Sequence, residues 1–202
     1  MIRIILATRA AHRALMATAA LAAITYLAGT WTLRIDLSPA RPNELVISDL
    51  CGIACATVVA IITGPRLWEW ERAAGGHRAR LVATTTALAG VALPVLCAAA
   101  VIPHVAGRTD WLFAVTNVLA LAALIQLVAP FVGPLWAGAL AVVTWYGSGL
   151  VQNLVPEAIT FLPITGYPTA EPRTTAAGLL TVVTLVVHAR TLGSTARRRA
   201  RA

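Results

Sequence analysis

The chain alternates between long apolar runs and short polar breaks. Six runs rich in Ala, Leu and Val are long enough, or nearly so, to cross the hydrocarbon core of a bilayer, which requires ~20 residues of helix. Tryptophan or tyrosine lies near several run ends, where amphipathic rings favour the headgroup level. The pattern predicts an all-α polytopic membrane protein with six transmembrane helices, forming a single domain over residues 1–202. The runs are Ala14–Thr32, Val46–Thr63, Leu81–Ile102, Trp111–Ala129, Pro134–Val155 and Thr175–Leu192.

The composition agrees with a membrane location. Hydrophobic residues make up 58% of the chain and charged residues only 12%, against about 25% charged residues in an average soluble domain. The mean hydropathy is +0.78. The net charge of +8 comes entirely from arginine, since the chain has no lysine. These charges are scattered between apolar runs and form no continuous basic surface, so no nucleic-acid partner is expected.

The arginines predict the orientation. Short loops rich in arginine stay in the cytoplasm. With six spans and a cytoplasmic N-terminus, most of the arginines fall on the cytoplasmic side, and both termini are cytoplasmic. A bacterial plasma membrane is the expected location. A four-span alternative, with a re-entrant hairpin at residues 130–134, would leave both termini on the same side.

The first residues have a basic start followed by an apolar stretch, which is also the pattern of a secretory signal peptide. The apolar stretch is long for a signal peptide, so an uncleaved first span is expected. Arg9, His12 and Arg13 share one helical face by their spacing. This spacing predicts a basic interfacial helix over residues 1–13, leading into the first span.

Small side chains form a stripe along the second span. Gly52, Ala56, Ala60 and Gly64 recur every four residues. Small residues on one helical face allow another helix to approach closely in a membrane. The stripe therefore predicts a helix-packing face, and Gly133, Ala137 and Ala141 repeat the spacing in the fifth span.

Polar side chains form a second stripe in the fifth span, at Thr144, Ser148 and Gln152. They are candidates for a translocation path, although hydrogen bonding to adjacent helices is the simpler interpretation. Asn117 and Gln126 in the fourth span are nine residues apart and face nearly opposite ways. We therefore do not expect both of them to line one pore.

Ionisable residues inside a membrane raise the question of function. Asp49, His188 and Arg190 lie close enough to the ends of their spans for an interfacial position to be expected. The segment from Trp145 to Gly149 is similar to the G-x-S-G motif of rhomboid proteases, but Tyr146 replaces its first glycine. An intramembrane protease is the less favoured alternative, because Ser148 and His188 lie at different depths. We expect no enzymatic activity in this chain.

The three cysteines, Cys51, Cys55 and Cys97, all lie within apolar runs, so the spacing gives no disulfide framework. Cys51 and Cys55 face one way on a helix, but two thiols without a nearby histidine make a poor metal site. We therefore expect no metal or redox centre and no cofactor bound by this chain.

Residues 156–174 contain several prolines around a short apolar core from Ala158 to Ile164 that is too short to cross the membrane. Loops of this length rarely remain unpacked. An extracytoplasmic cap or re-entrant hairpin is predicted here, with the prolines setting the bends.

The connection from Gly64 to Arg80, GPRLWEWERAAGGHRAR, carries more charge than a membrane turn needs. Leu67, Trp68 and Glu71 have spacings that place them on one helical face, followed by Gly75 and Gly76 as a stop or bend. Arginines that only fix topology would need neither two tryptophans nor two glutamates. We predict a short cytoplasmic helix that docks on a partner.

The layout resembles the membrane subunits of type-two ABC transporters, mostly exporters. Members of that family have six spans with both ends inside, and a basic interfacial helix often precedes the first span. A cytoplasmic coupling helix between spans two and three docks on a separate ATPase. An acid-rich turn followed by glycine and arginine is common there, comparable with Glu69 to Arg72 and then Gly75 to Arg78. The resemblance covers nearly the whole chain in layout, and the arginine-rich, lysine-free composition resembles that of actinobacterial proteins.

The resemblance implies a permease subunit without chemistry of its own. ATP and magnesium would bind to the partner ATPase, and a second copy or a related membrane subunit would complete the path. The alternative from another class is a non-transporting membrane scaffold or accessory subunit, with the small-residue stripes as assembly faces. The ATPase-docking residues implied by the resemblance are Leu67, Trp68, Glu69, Trp70, Glu71 and Arg72.

Overall fold

All six apolar runs are helical over most of their length in a computed structural model. The structure describes residues 10–35, 43–64, 76–105, 111–155, 157, 164 and 173–195. A 3-10 turn, Ile102–His104, follows the third helix. Within the described residues the helices are α1 (Ala11–Ala28), α2 (Ile47–Thr63), α3 (Gly76–Val101), α4 (Trp111–Val132), α5 (Pro134–Leu154) and α6 (Thr174–Thr191).

Four of these helices are long and apolar enough to cross a membrane: α3 with its 3-10 turn, α4, α5 and α6. α2 is apolar but shorter, at 17 residues. The coarse class predicted from the sequence, a mostly helical membrane protein, is therefore supported. The count of six spans and the cytoplasmic position of both termini stay predictions.

The structure contains a β-hairpin between α1 and α2 that the sequence did not predict. Strand β1 (Thr32–Ile35) pairs antiparallel with strand β2 (Asn43–Val46), with Thr32 opposite Val46. The first span was predicted to end at Thr32, but α1 ends at Ala28. The second was predicted to start at Val46, but Val46 is the last residue of strand β2, and α2 starts at Ile47. Alternation of polar and apolar residues in Thr32–Ile35 is the local signal for a strand.

Three inner helices and three outer helices make up the described bundle. The inner helices α2, α3 and α4 each contact the other two. Each outer helix packs on a different pair of them: α1 on α2 and α3, α5 on α2 and α4, and α6 on α3 and α4. The hairpin packs on α5. Within this bundle α4 is the most enclosed of the four long helices.

Successive helices run in opposite directions. Leu45, just before α2, contacts Gly149 near the end of α5, and Gly29 after α1 lies against Val105 after α3. Thr195 after α6 bonds to Pro130 at the end of α4. One end of the bundle, here called the hairpin end, therefore holds the C-terminal ends of α1, α3 and α5. The opposite end, here called the turn end, holds the C-terminal ends of α2, α4 and α6.

α4 is apolar on nearly every side, as expected for a helix enclosed by others. Four consecutive residues, 120–123, are almost completely buried. Three of these four residues are alanines, which let neighbouring helices approach the α4 backbone closely. Val118, Leu121 and Ile125 fill the remaining space and are also fully buried.

α4 and α5 are joined by a single residue. Gly133 has φ of 101°, a backbone region that favours glycine. Pro134 then occupies the first position of α5, where its missing N–H costs nothing. With 22 residues in α4 and 21 in α5, both helices are long enough to cross, so a re-entrant hairpin at residues 130–134 is not required.

Several predicted segments lie outside the described residues. These are residues 1–9 of the interfacial helix, residues 65–75 of the charged connection, and most of the cap at residues 156–174. His12 and Arg13 form part of the first turn of α1, and both are exposed. Residues 76–80 form the first turn of α3.

The two ends of the bundle provide a test of orientation. Thr32 at the hairpin end and His77 at the turn end are both exposed. Since the arginines predict the turn end to be cytoplasmic, a membrane-impermeant maleimide should label Thr32→Cys in intact cells and His77→Cys only after lysis. The unmodified protein is the control, because its cysteines are buried. Labelling of both positions from the same side would contradict the alternating arrangement.

Candidate functional site

Polar side chains are buried along three faces of α4. Asn117 lies on the face toward α2. The Gln126 side chain lies toward α3. The α4 backbone carbonyls receive hydrogen bonds from α6. The buried polar groups therefore connect the central helix to its neighbours.

Asp49 and Asn117 form a buried contact at the hairpin end. The Asn117 amide nitrogen Nδ2 donates to Asp49 Oδ2 at 3.2 Å, and each residue is only 3% exposed. Asp49 is therefore enclosed by the bundle, although it lies in the first turn of α2, where an interfacial position was expected. The reason is that α4 packs on α2 here and its Asn117 amide takes the place of water beside the carboxyl group.

Gln126 of α4 lies against α3 where both helices lack a backbone hydrogen bond, because Pro94 of α3 and Pro130 of α4 have no N–H. A Cβ built on Gly90 would overlap the Gln126 side-chain amide, so only glycine leaves room for it. Pro94 has no N–H, so the Gly90 carbonyl has no donor from the next turn of α3. Among the described residues, Gln126 Nε2 has no hydrogen-bond partner although the side chain is buried.

Three residues on α6 or just after it donate to carbonyls of α4, and we call these the α4–α6 carbonyl contacts. The single hydroxyl hydrogen of Thr184 is shared between the Leu180 carbonyl of α6 at 2.8 Å and the Ala123 carbonyl of α4 at 3.0 Å. His188 Nε2 bonds to the Gln126 carbonyl at 2.8 Å, and since a carbonyl only accepts, Nε2 carries the proton. Thr195 donates through both its N–H and its hydroxyl to the Pro130 carbonyl.

Two of these contacts occur where α4 provides no donor of its own. In an α-helix the N–H of residue i donates to the carbonyl of residue i−4. Pro130 provides no N–H for Gln126, and the Pro130 carbonyl lies in the last turn of α4, where no helical donor follows. His188 and Thr195 supply the missing donors. His188, in the last turn of α6, is therefore buried against α4, whereas Arg190 is exposed.

The predicted polar stripe on α5 splits between two environments. Thr144 is exposed, and its hydroxyl donates to the Leu140 carbonyl of its own helix. Ser148 and Gln152 are buried; Ser148 donates to the Trp145 carbonyl, and Gln152 Nε2 donates to the Ile164 carbonyl at 2.8 Å. The three residues do not line one passage within the described part of the chain.

The structure does not bring Ser148 and His188 together. Ser148 is in the hairpin half of α5, and His188 is one turn from the turn end of α6. Their separation along the bundle is ~15 Å at 1.5 Å per residue. Each of the two side chains bonds to a backbone carbonyl instead. The geometry gives no support to a serine–histidine pair.

The small-residue stripe on α2 faces into the bundle. Gly52, Ala56 and Ala60 are buried, and Gly64 is partly buried. A Cβ built on Gly52 would come within 2.8 Å of Val118 Cγ2 on α4. The stripe therefore lies at a contact inside the chain and is not an outward assembly face.

An open groove of about 610 Å³ runs between α2 and α5 on the outside of the bundle. Its walls include Leu50, Thr57, Trp136 and Val142, and it is almost entirely apolar. Gly138 on its floor lies against Thr57, so α2 and α5 are close at this point. An apolar groove on a membrane protein is no route for a polar solute.

The residues assigned to ATPase docking, Leu67 to Arg72, lie outside the described residues. The helix ends on either side of them, Thr63 and Gly76, are described and lie at the turn end. Within the described residues, no group of three His, Cys, Asp or Glu side chains is placed to hold a metal ion. Among family models, curated proteins and solved structures, none matches this chain.

Sequence reasoning missed the α4–α6 carbonyl contacts and the Asp49–Asn117 pair. Pro130 marks the Gln126 carbonyl as one without a helical donor. The sequence does not show that His188 and Thr195 supply the replacements, because that depends on how α6 packs on α4. Asp49 and Asn117 are 68 residues apart, and no local pattern connects them.

The Gly52 contact can be tested within its own stripe. Gly52→Ala should destabilise the protein by about 1–3 kcal/mol, because the new methyl group would overlap a stiff β-branched side chain. In the Gly52→Ala background, Val118→Ala should recover part of the lost stability, because it removes the methyl groups that the new Cβ would meet. Gly64→Ala is the matched control, since its Cβ would make only ordinary contacts. Equal effects of the two glycine substitutions on unfolding in mixed micelles would contradict the packing described for α2.

The contact of His188 with the Gln126 carbonyl gives a second test. His188→Leu should cost about 1–3 kcal/mol, because it leaves a buried carbonyl without a donor. His188→Gln, which keeps an N–H, should cost less. In a Pro130→Ala background the penalty of His188→Leu should fall, since the alanine N–H restores the helical donor. An unchanged penalty in that background, measured by unfolding in mixed micelles, would show that the hydrogen bond to Gln126 contributes little.

Proposed function

We propose that this chain is the membrane-spanning permease subunit of an ATP-driven export complex in a bacterial plasma membrane. In this proposal residues 67–72 dock on a separate ABC-type ATPase, which binds ATP and magnesium. The observation that carries the proposal is the position of the charged connection. It joins α2 to α3, two of the three inner helices.

This position suits a coupling element. Both α2 and α3 pack on α4, the central helix. A displacement of the connection would therefore act on the interior of the bundle rather than on a peripheral helix.

The proposed translocation path lies between two membrane subunits, either two copies or this chain with a related one. Ser148 and Gln152 are already hydrogen-bonded inside the chain, and Thr144 faces outward. Within the described residues, the polar groups of a single bundle connect helices and do not line a passage. A paired arrangement would place the path at a surface such as that carrying Thr144.

The scaffold alternative loses one of its supports. In that interpretation the small-residue stripes are faces for assembly with other proteins. The α2 stripe instead packs against α4, and Ala137 and Ala141 on α5 are buried as well. Export is therefore the function that the geometry favours of the two.

The test is co-purification with the ATPase encoded beside this gene, combined with substrate-stimulated ATP hydrolysis. Replacing Trp68 and Trp70 with Ala should reduce recovery of the ATPase more than replacing Glu69 and Glu71 with Gln. Aromatic anchors at an interface centre can contribute about 2 kcal/mol or more, whereas exposed charges contribute about 1 kcal/mol or less. Trp31→Ala is the matched control, because Trp31 is exposed at the hairpin end.

Membrane insertion should be unchanged in every variant. Failure of any ATPase to associate with the unmodified chain, or equal recovery with both pairs of substitutions, would overturn the proposal. The scaffold function would then become the preferred one.

A further inference from the structure

The backbone of α3 lacks one hydrogen bond on the side that faces α4. Pro94 is buried within the helix and has no N–H to donate to the Gly90 carbonyl. Gly90, one turn earlier, is buried on the same side, and glycine adopts new backbone angles more easily than any other residue. The Pro94 ring also crowds the Gly90 carbonyl, and the helix relieves this crowding by opening on that side. We call the missing hydrogen bond between these two residues the α3 gap.

The side chain of Gln126 on α4 lies directly against the α3 gap. A Cβ built on Gly90 would come within 2.6 Å of Gln126 Cδ and would overlap the amide nitrogen Nε2. The side chain is only 3% exposed, and Nε2 has no hydrogen-bond partner among the described residues. A buried donor without an acceptor therefore lies beside a buried carbonyl without its helical donor. Both are costly inside an apolar bundle.

The bundle fills the corresponding gap of α4 with a side chain from a neighbouring helix. Pro130 leaves the Gln126 carbonyl without a helical donor, and His188 of α6 bonds to that carbonyl at 2.8 Å. Thr195 after α6 donates to the Pro130 carbonyl. These contacts hold the α4 backbone at Gln126 against α6. The movement that brings the Gln126 amide to the Gly90 carbonyl therefore falls to α3.

We propose that α3 has a second, more bent conformation, in which the Gln126 amide enters the α3 gap and Nε2 donates to the Gly90 carbonyl. A side chain that enters the backbone ladder of a helix is a recognised cause of a kink. The bend opens α3 on the side of Pro94, which faces α4, so the gap widens toward the amide. Both groups gain a partner in the bent conformation, and the hydrogen bond holds the bend.

The bend would move the turn end of α3. Gly76 precedes Gly90 by 14 residues, which is ~21 Å of helix at 1.5 Å per residue. A bend of about 10° at the α3 gap would displace the first turn by about 4 Å over that length. The charged connection joins the bundle at this turn, so its position would depend on whether Gln126 is engaged. The inference concerns α3 and α4 alone and does not depend on an ATPase partner.

The experiment measures the distance between two nitroxide spin labels by pulsed electron paramagnetic resonance, on the full chain in detergent micelles. One label is attached at His77→Cys in the first turn of α3, and the other at Trp136→Cys in the first turn of α5, which packs on α2 and α4. Both positions are exposed, and the native cysteines are buried, so the unmodified chain serves as the labelling control. Two distance populations are expected.

Substitutions at the α3 gap identify the bent population. Pro94→Ala restores the N–H for Gly90, so only the straighter population should remain. Gln126→Met keeps an unbranched side chain but has no N–H, and it should reduce the bent population by about two- to tenfold, as expected for the loss of one hydrogen bond. In the Pro94→Ala background, Gln126→Met should change nothing further. Gln152→Met is the matched control, because Gln152 is a buried glutamine that bonds to the Ile164 carbonyl.

A single narrow distance in the labelled, otherwise unmodified chain would overturn the proposal even if a variant fails to fold. An unchanged distribution in Gln126→Met would also overturn it, because the bend would not depend on the amide. So would an effect of Gln126→Met that persists in the Pro94→Ala background, or an equal effect of Gln152→Met.

Discussion

A backbone carbonyl inside an apolar bundle must receive a hydrogen bond, and this constraint determines how α4 and α6 fit together. Inside a membrane no water is available to satisfy such a group. Pro130 leaves the Gln126 carbonyl without a helical donor, and the end of α4 does the same for the Pro130 carbonyl. His188 and Thr195 supply the donors, which favours one register of α6 along α4. The helices α2, α3 and α5 also pack on α4.

Polar contacts and small residues define the remaining helix contacts. Lipid tails are as apolar as leucine, so apolar side chains alone give little preference for one helix arrangement over another. Asn117 aligns α4 with α2 through Asp49, and Gly90 makes room for the Gln126 side chain between α3 and α4. Gly149 receives Leu45 of the hairpin. Each contact has a geometry that would be lost if a helix shifted by one turn.

The sequence predicted the helices well and their contacts poorly, for a physical reason. Each apolar run had to become a helix, because a chain in lipid must satisfy its backbone locally. The predicted bounds of the first two helices were less accurate beside the hairpin, because the residues at those helix ends form strands instead. Asp49 and His188 lie near helix ends as their sequence positions indicate, but their burial depends on the neighbouring helices, which no local pattern encodes.

The length of α3 has a mechanical consequence. Its 26 residues extend ~39 Å at 1.5 Å per residue, whereas the hydrocarbon core is about 30 Å thick. The helix must therefore tilt or project, and its first turn carries His77, Arg78 and Arg80, which favour the aqueous side. α3 is held by α1, α2, α4 and α6, and it contains Pro94, which removes one hydrogen bond of its backbone. A sideways force on its first turn would therefore bend the helix most easily between Gly90 and Pro94, before it reached the hairpin end.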